Sequence, residues 1–187
     1  VETGAPLGGR YRVEDVPFAI GGSATLHRAL DERLGRVVAI KRPRTAEAHQ
    51  RLRREATLLA RCAHPGIVGC LDHGEDAQGA PFVVLQFVDG VNLAQYAAAG
   101  AVLRDVARAW AREVIHAVRA LHAQGIVHGD LKPQHVVIGR DGHAVLVDFD
   151  RAHLAGDDSG VASGVKAFAA PAVRQGEPTT IASDRYA

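Results

Sequence analysis

The feature that most constrains this chain is a hairpin signal around residue 141. Two short apolar runs, Val136–Ile138 and Ala144–Val147, flank Asp141-Gly142. Asp-Gly between strand-like runs predicts a β-hairpin. A hairpin brings its open ends together, so His135, just before the first run, is expected beside Asp148, just after the second. Asp130 and Lys132 lie on the loop that feeds the same end. The expected result is two carboxylates, an ammonium and an imidazole on one loop-rich edge. Mg²⁺ carried on phosphates takes one or two carboxylates, and a reacting hydroxyl takes a nearby base. The constellation suits phosphoryl transfer; the plainer alternative is a surface hairpin with charged ends.

At 187 residues the chain is one domain or two small lobes, long enough to bury a core. Its net charge of +1 gives no reason to invoke nucleic acid or an anionic membrane. No apolar run approaches the length of a membrane helix, and no signal-peptide pattern opens the chain. Two cysteines, Cys62 and Cys70, make no disulfide framework, which points to a reducing cytoplasm. His64 and His73 lie close by, but the spacing fits no zinc pattern and buried structural thiols are expected. Lysine usage is more telling. Only Lys41, Lys132 and Lys166 are lysine; the other basic residues are arginine. In an arginine-rich chain a lysine marks a place where a compact, rotatable ammonium is wanted.

Residues 1–10 form a polar linker or disordered lead-in, with strands expected over Tyr11–Ile20, Ala24–Asp31 and Arg36–Arg42. Gly21-Gly22-Ser23 falls at the first turn, where bare backbone amides can approach phosphates. Thr45 reads as an N-cap for a helix over Ala46–Ala63 whose apolar stripe is Leu52, Ala56, Leu58, Leu59 and Cys62. Glu55 falls in the middle of that stripe. A carboxylate on a buried face is costly unless paired, and Lys41 on the preceding strand is the obvious partner. His64-Pro65-Gly66-Ile67-Val68 breaks the helix and starts a strand, a further strand covers Phe82–Val88, and Asp89-Gly90 opens a linker. Leu103, Val106, Trp110, Val114, Val118 and Leu121 recur at helical spacing, so residues 103–123 form an amphipathic helix with Trp110 in the core. A Gly-, Ser- and Asp-containing loop is expected from Asp150 to Gly164.

Several of these segments carry a resemblance. His128-Gly129-Asp130-Leu131-Lys132-Pro133-Gln134-His135 and Asp148-Phe149-Asp150 resemble the catalytic loop and metal motif of eukaryotic-like (Hanks-type) bacterial Ser/Thr protein kinases. Ala19-Ile20-Gly21-Gly22-Ser23-Ala24 aligns with the kinase Gly-rich loop, with two of three glycines replaced by alanine. Val38-Ala39-Ile40-Lys41 matches the strand that presents the nucleotide-binding lysine. Ala167 to Ala172 looks like the end of an activation segment, with Ala172 at the usual Glu and Val165 at the Thr that braces the catalytic Asp. Ser183-Asp184-Arg185-Tyr186 resembles the start of the central helix, whose Asp hydrogen-bonds the catalytic-loop backbone. The chain has no methionine and ends inside a predicted helix, and reads as a degenerate kinase domain truncated toward its C-terminus, a piece of a longer protein.

The resemblance implies an α+β, bilobal, protein-kinase-like fold. Residues 11–88 would be an N-lobe of antiparallel sheet with one helix, and 89–187 a partial, mainly helical C-lobe. It implies an ATP-dependent Ser/Thr kinase acting on a protein substrate. ATP would lie between the lobes under Gly21 and Gly22, its phosphates held by Lys41, itself paired with Glu55. Gln86 to Val88 would meet adenine through backbone groups after a gatekeeper at Leu85. Ala39 and Val137 join the nucleotide-binding set, and Asn92 is a candidate for the ribose. Asp148 and His135 would hold Mg²⁺, with Mn²⁺ as the alternative because an imidazole replaces the family's amide. Asp130 would be the base and Lys132 would stabilise the transferring phosphoryl group. Two other readings stay open. His135, Asp150 and the altered Gly-rich loop also fit a pseudokinase, a nucleotide-binding or scaffolding module. Gly129 and Asp148-Phe149-Asp150 also fit a small-molecule phosphotransferase of aminoglycoside or choline kinase type. With Gly129 in the loop, no arginine stands there to clamp an activation-loop phosphate.

Overall fold

The computed structural model describes residues 6–100, 102–157 and 167–187. They form two compact units. The first takes the chain up to Ala60 together with Gly69–Phe87, and the second takes Arg61–Val68 with Val88–Ala187. The expected Val165 and much of the loop to Gly164 lie outside the described residues.

In the first unit the strands are β1 (Tyr11–Val13), β2 (Ala19–Ile20), β3 (Ala24–Asp31), β4 (Arg36–Pro43), β5 (Cys70–Glu75) and β6 (Pro81–Gln86), with helix α1 (Glu47–Leu59) between β4 and β5. They form one antiparallel sheet in the order β1-β3-β4-β6-β5, with β2 also on β3. The single strand expected over Tyr11–Ile20 is two short ones. Pro17 has no N–H for the ladder; the chain bows out after Glu14, whose N–H still reaches the Arg28 carbonyl at 2.9 Å, and rejoins through Phe18 N–H to the Leu26 carbonyl at 2.9 Å. The expected strand over Phe82–Val88 stops at Gln86, and the strand expected from Ile67 begins only at Cys70.

Strand alternation decides what each face of β4 does. Val38 and Ile40 join Tyr11, Ala29, Phe82 and Val84 in an apolar cluster covered by Leu7 and Val13. Ala39 and Lys41 point the other way. Helix α1 is shorter than its stripe suggested. Its N-cap is Ala46, with helical dihedrals and no side-chain bond, so Thr45 is not the cap. It ends at Leu59, where the Ala60 N–H still closes the last turn on the Ala56 carbonyl. Leu52, Glu55, Ala56, Leu58 and Leu59 are all buried on it.

The lead-in is partly tied down, because an arginine within it finds the buried carboxylate of Asp31 and the half-exposed one of Asp72. Leu7 and Tyr11 exchange backbone hydrogen bonds. Arg10 then grips Asp31 with Nε at 2.8 Å and Nη2 at 2.7 Å, and reaches Asp72 with Nη1 at 3.1 Å. The Tyr11 hydroxyl donates to the same Asp72 carboxylate at 2.6 Å. Asp31 has no exposed surface, and four N–H donors, two of them backbone at Arg33 and Leu34, converge on it.

The second unit holds β7 (Gly90–Asn92), α2 (Leu93–Ala98), α3 (Arg104–Ala123), β8 (Ile126–Val127), β9 (Val136–Gly139), β10 (Ala144–Leu146), β11 (His153–Leu154), α4 (Pro171–Arg174) and α5 (Ile181–Tyr186). The hairpin formed by β9 and β10 pairs as the sequence predicted, with Val137 opposite Val145. Strand β7 replaces the linker expected after Asp89-Gly90 and pairs with β9. A side chain at Gly90 would place its Cβ 2.0 Å from the Ile138 carbonyl oxygen, so only glycine allows this approach. The Asn92 side-chain oxygen accepts from Gln95 N–H and caps α2, the role it has instead of a free polar tip.

Helix α3 buries Trp110, Ala117, Val118 and Leu121, whereas Leu103 and Val106, expected on the same stripe, are exposed. It also holds the hairpin turn. Trp110 Nε1 donates to the Gly142 carbonyl at 2.8 Å. Glu113 accepts from Ala144 N–H at 2.8 Å and from His143 Nδ1 at 2.8 Å. Burial alone would push the Glu113 carboxyl up, but those two donors outweigh it and hold it below the usual range, while the same bond raises His143.

The Arg10 hydrogen bonds, against the opposing effect of desolvation, lower the Asp31 carboxyl to about 2. The folded protein therefore binds that proton more weakly than the unfolded chain. The resulting stabilisation is present above about pH 4 and lost as the pH falls through about 2. Asp31→Asn should lower the urea midpoint at pH 7, and the gap to the wild type should shrink steadily as the pH is taken down to 2. A gap independent of pH would mean that Asp31 contributes through shape rather than charge.

Candidate catalytic centre

In the first unit, β4 carries Lys41 on the face that α1 covers, and α1 carries Glu55 in its apolar stripe. The Lys41 ammonium donates to both Glu55 oxygens, at 2.8 and 2.7 Å. Both side chains are almost wholly buried, with residue exposures of 3% and 1%. Gly21 and Gly22 form the turn between β2 and β3, closed by Gly21 N–H to the Ala24 carbonyl at 2.8 Å. Ala39 is buried and pairs with Leu85 across β4 and β6. Gln86 ends β6, exposed, with its N–H on the Gly69 carbonyl.

The second unit carries the remaining candidates. Val88 precedes β7, and Val137 lies half-buried in β9. Chain leaving α3 enters β8 and then the loop from His128 to Lys132. The carboxylate of Asp184, on α5, accepts the His128 N–H at 2.7 Å and the Gly129 N–H at 3.0 Å. His122 Nε2 donates to the same carboxylate at 3.1 Å. This fixes the loop backbone just ahead of Asp130. The Asp130 N–H donates to Nδ1 of His128 at 3.3 Å, so the proton of that ring sits on Nε2. Burial lowers the His128 pKa and keeps the ring neutral. It packs against Phe149 at 4.7 Å between ring centroids.

Asp130 accepts from the Lys132 ammonium through Oδ2 at 2.7 Å. Arg151 Nε lies 3.8 Å from the same oxygen. Among the described residues, Oδ1 of Asp130 accepts no hydrogen bond, which leaves it as the lone-pair face of a base. A one-turn 3₁₀ helix, Pro133–His135, then delivers His135 to the mouth of the hairpin. His135 Nδ1 lies 2.9 Å from the Asp130 carbonyl, and Nε2 lies 3.1 Å from Asp148 Oδ2. The pair expected from the hairpin is therefore formed. Asp148 is the one non-glycine residue with positive φ, 63°, among the described residues. Aspartate tolerates that left-handed conformation better than most side chains.

The donor set can be tested against a divalent cation. A carbonyl oxygen only accepts, so His135 Nδ1 must donate to Asp130. Burial lowers the His135 pKa, with Lys132 adding to it and Asp148 opposing, which favours the singly protonated ring. Its Nε2 then stands 3.1 Å from Asp148 Oδ2, a spacing at which the two can share a cation. The pair fits Mg²⁺ or Mn²⁺ carried on phosphates, although among the described residues no three acidic, histidine or cysteine side chains gather to hold a metal unaided.

Residues 18–187 match the protein kinase domain family. The chain belongs to that family. Among curated relatives it is similar to a probable serine/threonine-protein kinase, pknA2, of Bifidobacterium longum, at 36% identity over 95% of this chain and 25% of that protein. A probable serine/threonine-protein kinase of Streptomyces coelicolor, SCO3848, is 34% identical over 96% of this chain and 29% of its own. Probable PknB of Lactococcus lactis is 33% identical over 100% and 31%. The chain thus spans less than a third of the length of these relatives. The α+β, bilobal architecture anticipated from the motifs is that of the family.

Three residues around this candidate site escaped the sequence. His122 lies on the buried side of α3, and its signal was that of Glu55: a polar residue in an apolar stripe, which needs a partner. His153, on β11, has Nδ1 3.1 Å from the Arg151 carbonyl and Nε2 3.1 Å from the Thr179 carbonyl, contacts between segments that no local pattern announces. Arg151 approaches Asp130 only because of the path taken after Asp150.

Gly129, at the usual arginine of the catalytic loop, has φ 76°, and a Cβ there would stand 2.9 Å from the Arg151 carbonyl oxygen. Restoring the family's residue should therefore harm this chain. Gly129→Ala is expected to lower unfolding free energy by at least about 1–2 kcal/mol, the cost of a left-handed non-glycine residue, and Gly129→Arg by as much or more. Denaturant midpoints equal to wild type in both would show that the loop adapts.

Proposed function

We propose that this chain is the nucleotide-binding and phosphoryl-transfer part of a Ser/Thr protein kinase, moving the γ-phosphoryl group of ATP to a protein hydroxyl. The observation that carries the reading is the buried Lys41–Glu55 pair. A buried ion pair is weak as a stabilising device, so its retention fits a task, here an oriented ammonium for the α- and β-phosphates. Asp130 Oδ1 would orient the acceptor hydroxyl and take its proton as oxygen attacks the γ-phosphorus and ADP departs. Lys132, held on the other oxygen of the same carboxylate, would meet the charge growing on the transferred group. Asp148 and His135 would hold Mg²⁺ or Mn²⁺, which when bound neutralises charge on the phosphates. Ala39, Gln86, Val88 and Val137 are proposed around the adenine. The family match favours protein acceptors over small molecules. Free thiols at Cys62 and Cys70 suit a reducing compartment, and a cytoplasmic location is proposed for this part. Among the described residues no helix is long and apolar enough to cross a membrane.

In the full-length protein, Asp130→Asn should leave ATP affinity near wild type while transfer falls by about 10²–10⁴. Lys41→Met leaves Glu55 buried without its cation, so the double variant Lys41→Met/Glu55→Leu serves as the folded reference. Calorimetry should show ATP affinity strongly reduced in both. Undiminished transfer in the first variant, or wild-type affinity in the folded double variant, would remove those residues from their roles.

One observation favours a second reading, nucleotide binding without useful transfer: an imidazole stands at the metal position where the family has an amide. If His135 acts as a ligand, metal titrations should give higher activity with Mn²⁺ than with Mg²⁺. His135→Asn should then narrow that preference and raise Mg²⁺-dependent transfer. Identical metal profiles for the two proteins would take His135 out of the metal site, and nucleotide binding with no transfer under either metal would favour the pseudokinase.

A further inference from the structure

Of the three glycines of the family's loop only Gly21 remains, with Ala19 and Ala24 in place of the others, yet the turn has a specific anchor outside the motif. Strand β3 pairs with β4 as far as Ala24 opposite Pro43. The next residue, Arg44, overruns the last rung and takes hold of the turn twice. Its backbone N–H donates to the Ser23 carbonyl at 2.8 Å. Its guanidinium Nη1 donates to the Gly21 carbonyl at 2.9 Å. In a trans peptide the carbonyl and the following N–H point in opposite directions. Holding the Gly21 carbonyl toward Arg44 therefore aims the Gly22 N–H away from it, and among the described residues that N–H donates to nothing. Unpaired backbone N–H groups in a turn are donors to an anion.

We propose that Arg44 is a positioning residue for nucleotide phosphates: it does not touch them, but fixes the peptide plane whose Gly22 N–H receives a phosphate oxygen. The inference rests on the reading of Gly21-Gly22 as a phosphate-facing turn. It explains how a turn flanked by Ala19 and Ala24 stays in one conformation without its usual neighbours.

The test uses the full-length protein and three variants, Arg44→Ala, Arg44→Gln and Arg44→Lys, with two readouts. The first is hydrogen exchange without nucleotide, followed at the Gly21 amide, which is bonded to Ala24. The second is affinity for ATP and for adenosine, which lacks phosphates. Arg44→Ala should speed exchange at Gly21 and weaken ATP by about three- to tenfold, the loss of one charge-assisted hydrogen bond at a partly solvated site, with adenosine unaffected. Arg44→Gln, a neutral donor, should recover part of both. Unchanged exchange at Gly21 in Arg44→Ala would overturn the anchoring. Faster exchange with unchanged ATP affinity would overturn its role in binding. Full recovery by lysine with none by glutamine would replace positioning by simple charge. If the wild type bound neither ATP nor adenosine, the nucleotide reading itself would fall and this role with it, a result distinguishable because the exchange arm would still report the anchor.

Discussion

The loop from His128 to Lys132 hangs on one buried carboxylate. Asp184, on a short helix far along the chain, accepts the backbone N–H groups of His128 and Gly129 and is itself braced by His122. Backbone donors buried away from water must find acceptors, and a charged acceptor makes the strongest such bond. Because those amides are held, the next residue, Asp130, projects in a defined direction, and the turn that follows can deliver His135 to Asp148. The hairpin that presents Asp148 is held separately, by Trp110 and Glu113 on α3. Two independent anchors thus converge on one edge of the second unit.

The departures from the family pattern fit one another. Gly129 leaves room for the Arg151 carbonyl, and a side chain there would collide with it. The Arg151 guanidinium in turn stands within ion-pair distance of Asp130. Asp130 keeps a cationic neighbour beyond Lys132 although the loop has no arginine of its own. His135 is likewise no bystander, since each ring nitrogen meets an oxygen of a proposed functional residue.

Among the described residues of the first unit, charges are buried only where they are paired. Lys41 meets Glu55 with both carboxylate oxygens, and Asp31 collects Arg10 and two backbone amides. Removing one partner of a buried pair costs more than the pair itself gains. Each therefore acts as a pin. One sets the distance between α1 and β4, and the other ties the entry of the chain to the end of β3.

The sequence by itself determined what depends on neighbouring residues. The Asp141-Gly142 hairpin, its gathering of His135 with Asp148, and the burial of Glu55 opposite Lys41 all follow from period and turn chemistry. The tertiary structure decided what depends on distant ones. Pro17 split a strand whose propensity ran on, and β7 exists because Gly90 lets β9 approach, a contact invisible in a three-residue run. Leu103 and Val106 obey helical spacing yet stay exposed, since periodicity marks a face without saying how far along the helix a partner reaches. Arg10, His122, His153 and Arg151 became significant only when the fold supplied an acceptor many residues away. Local pattern sets which side chains share a face, but hydrogen-bond partners across the chain are set by packing, and a buried polar group takes whichever partner packing brings.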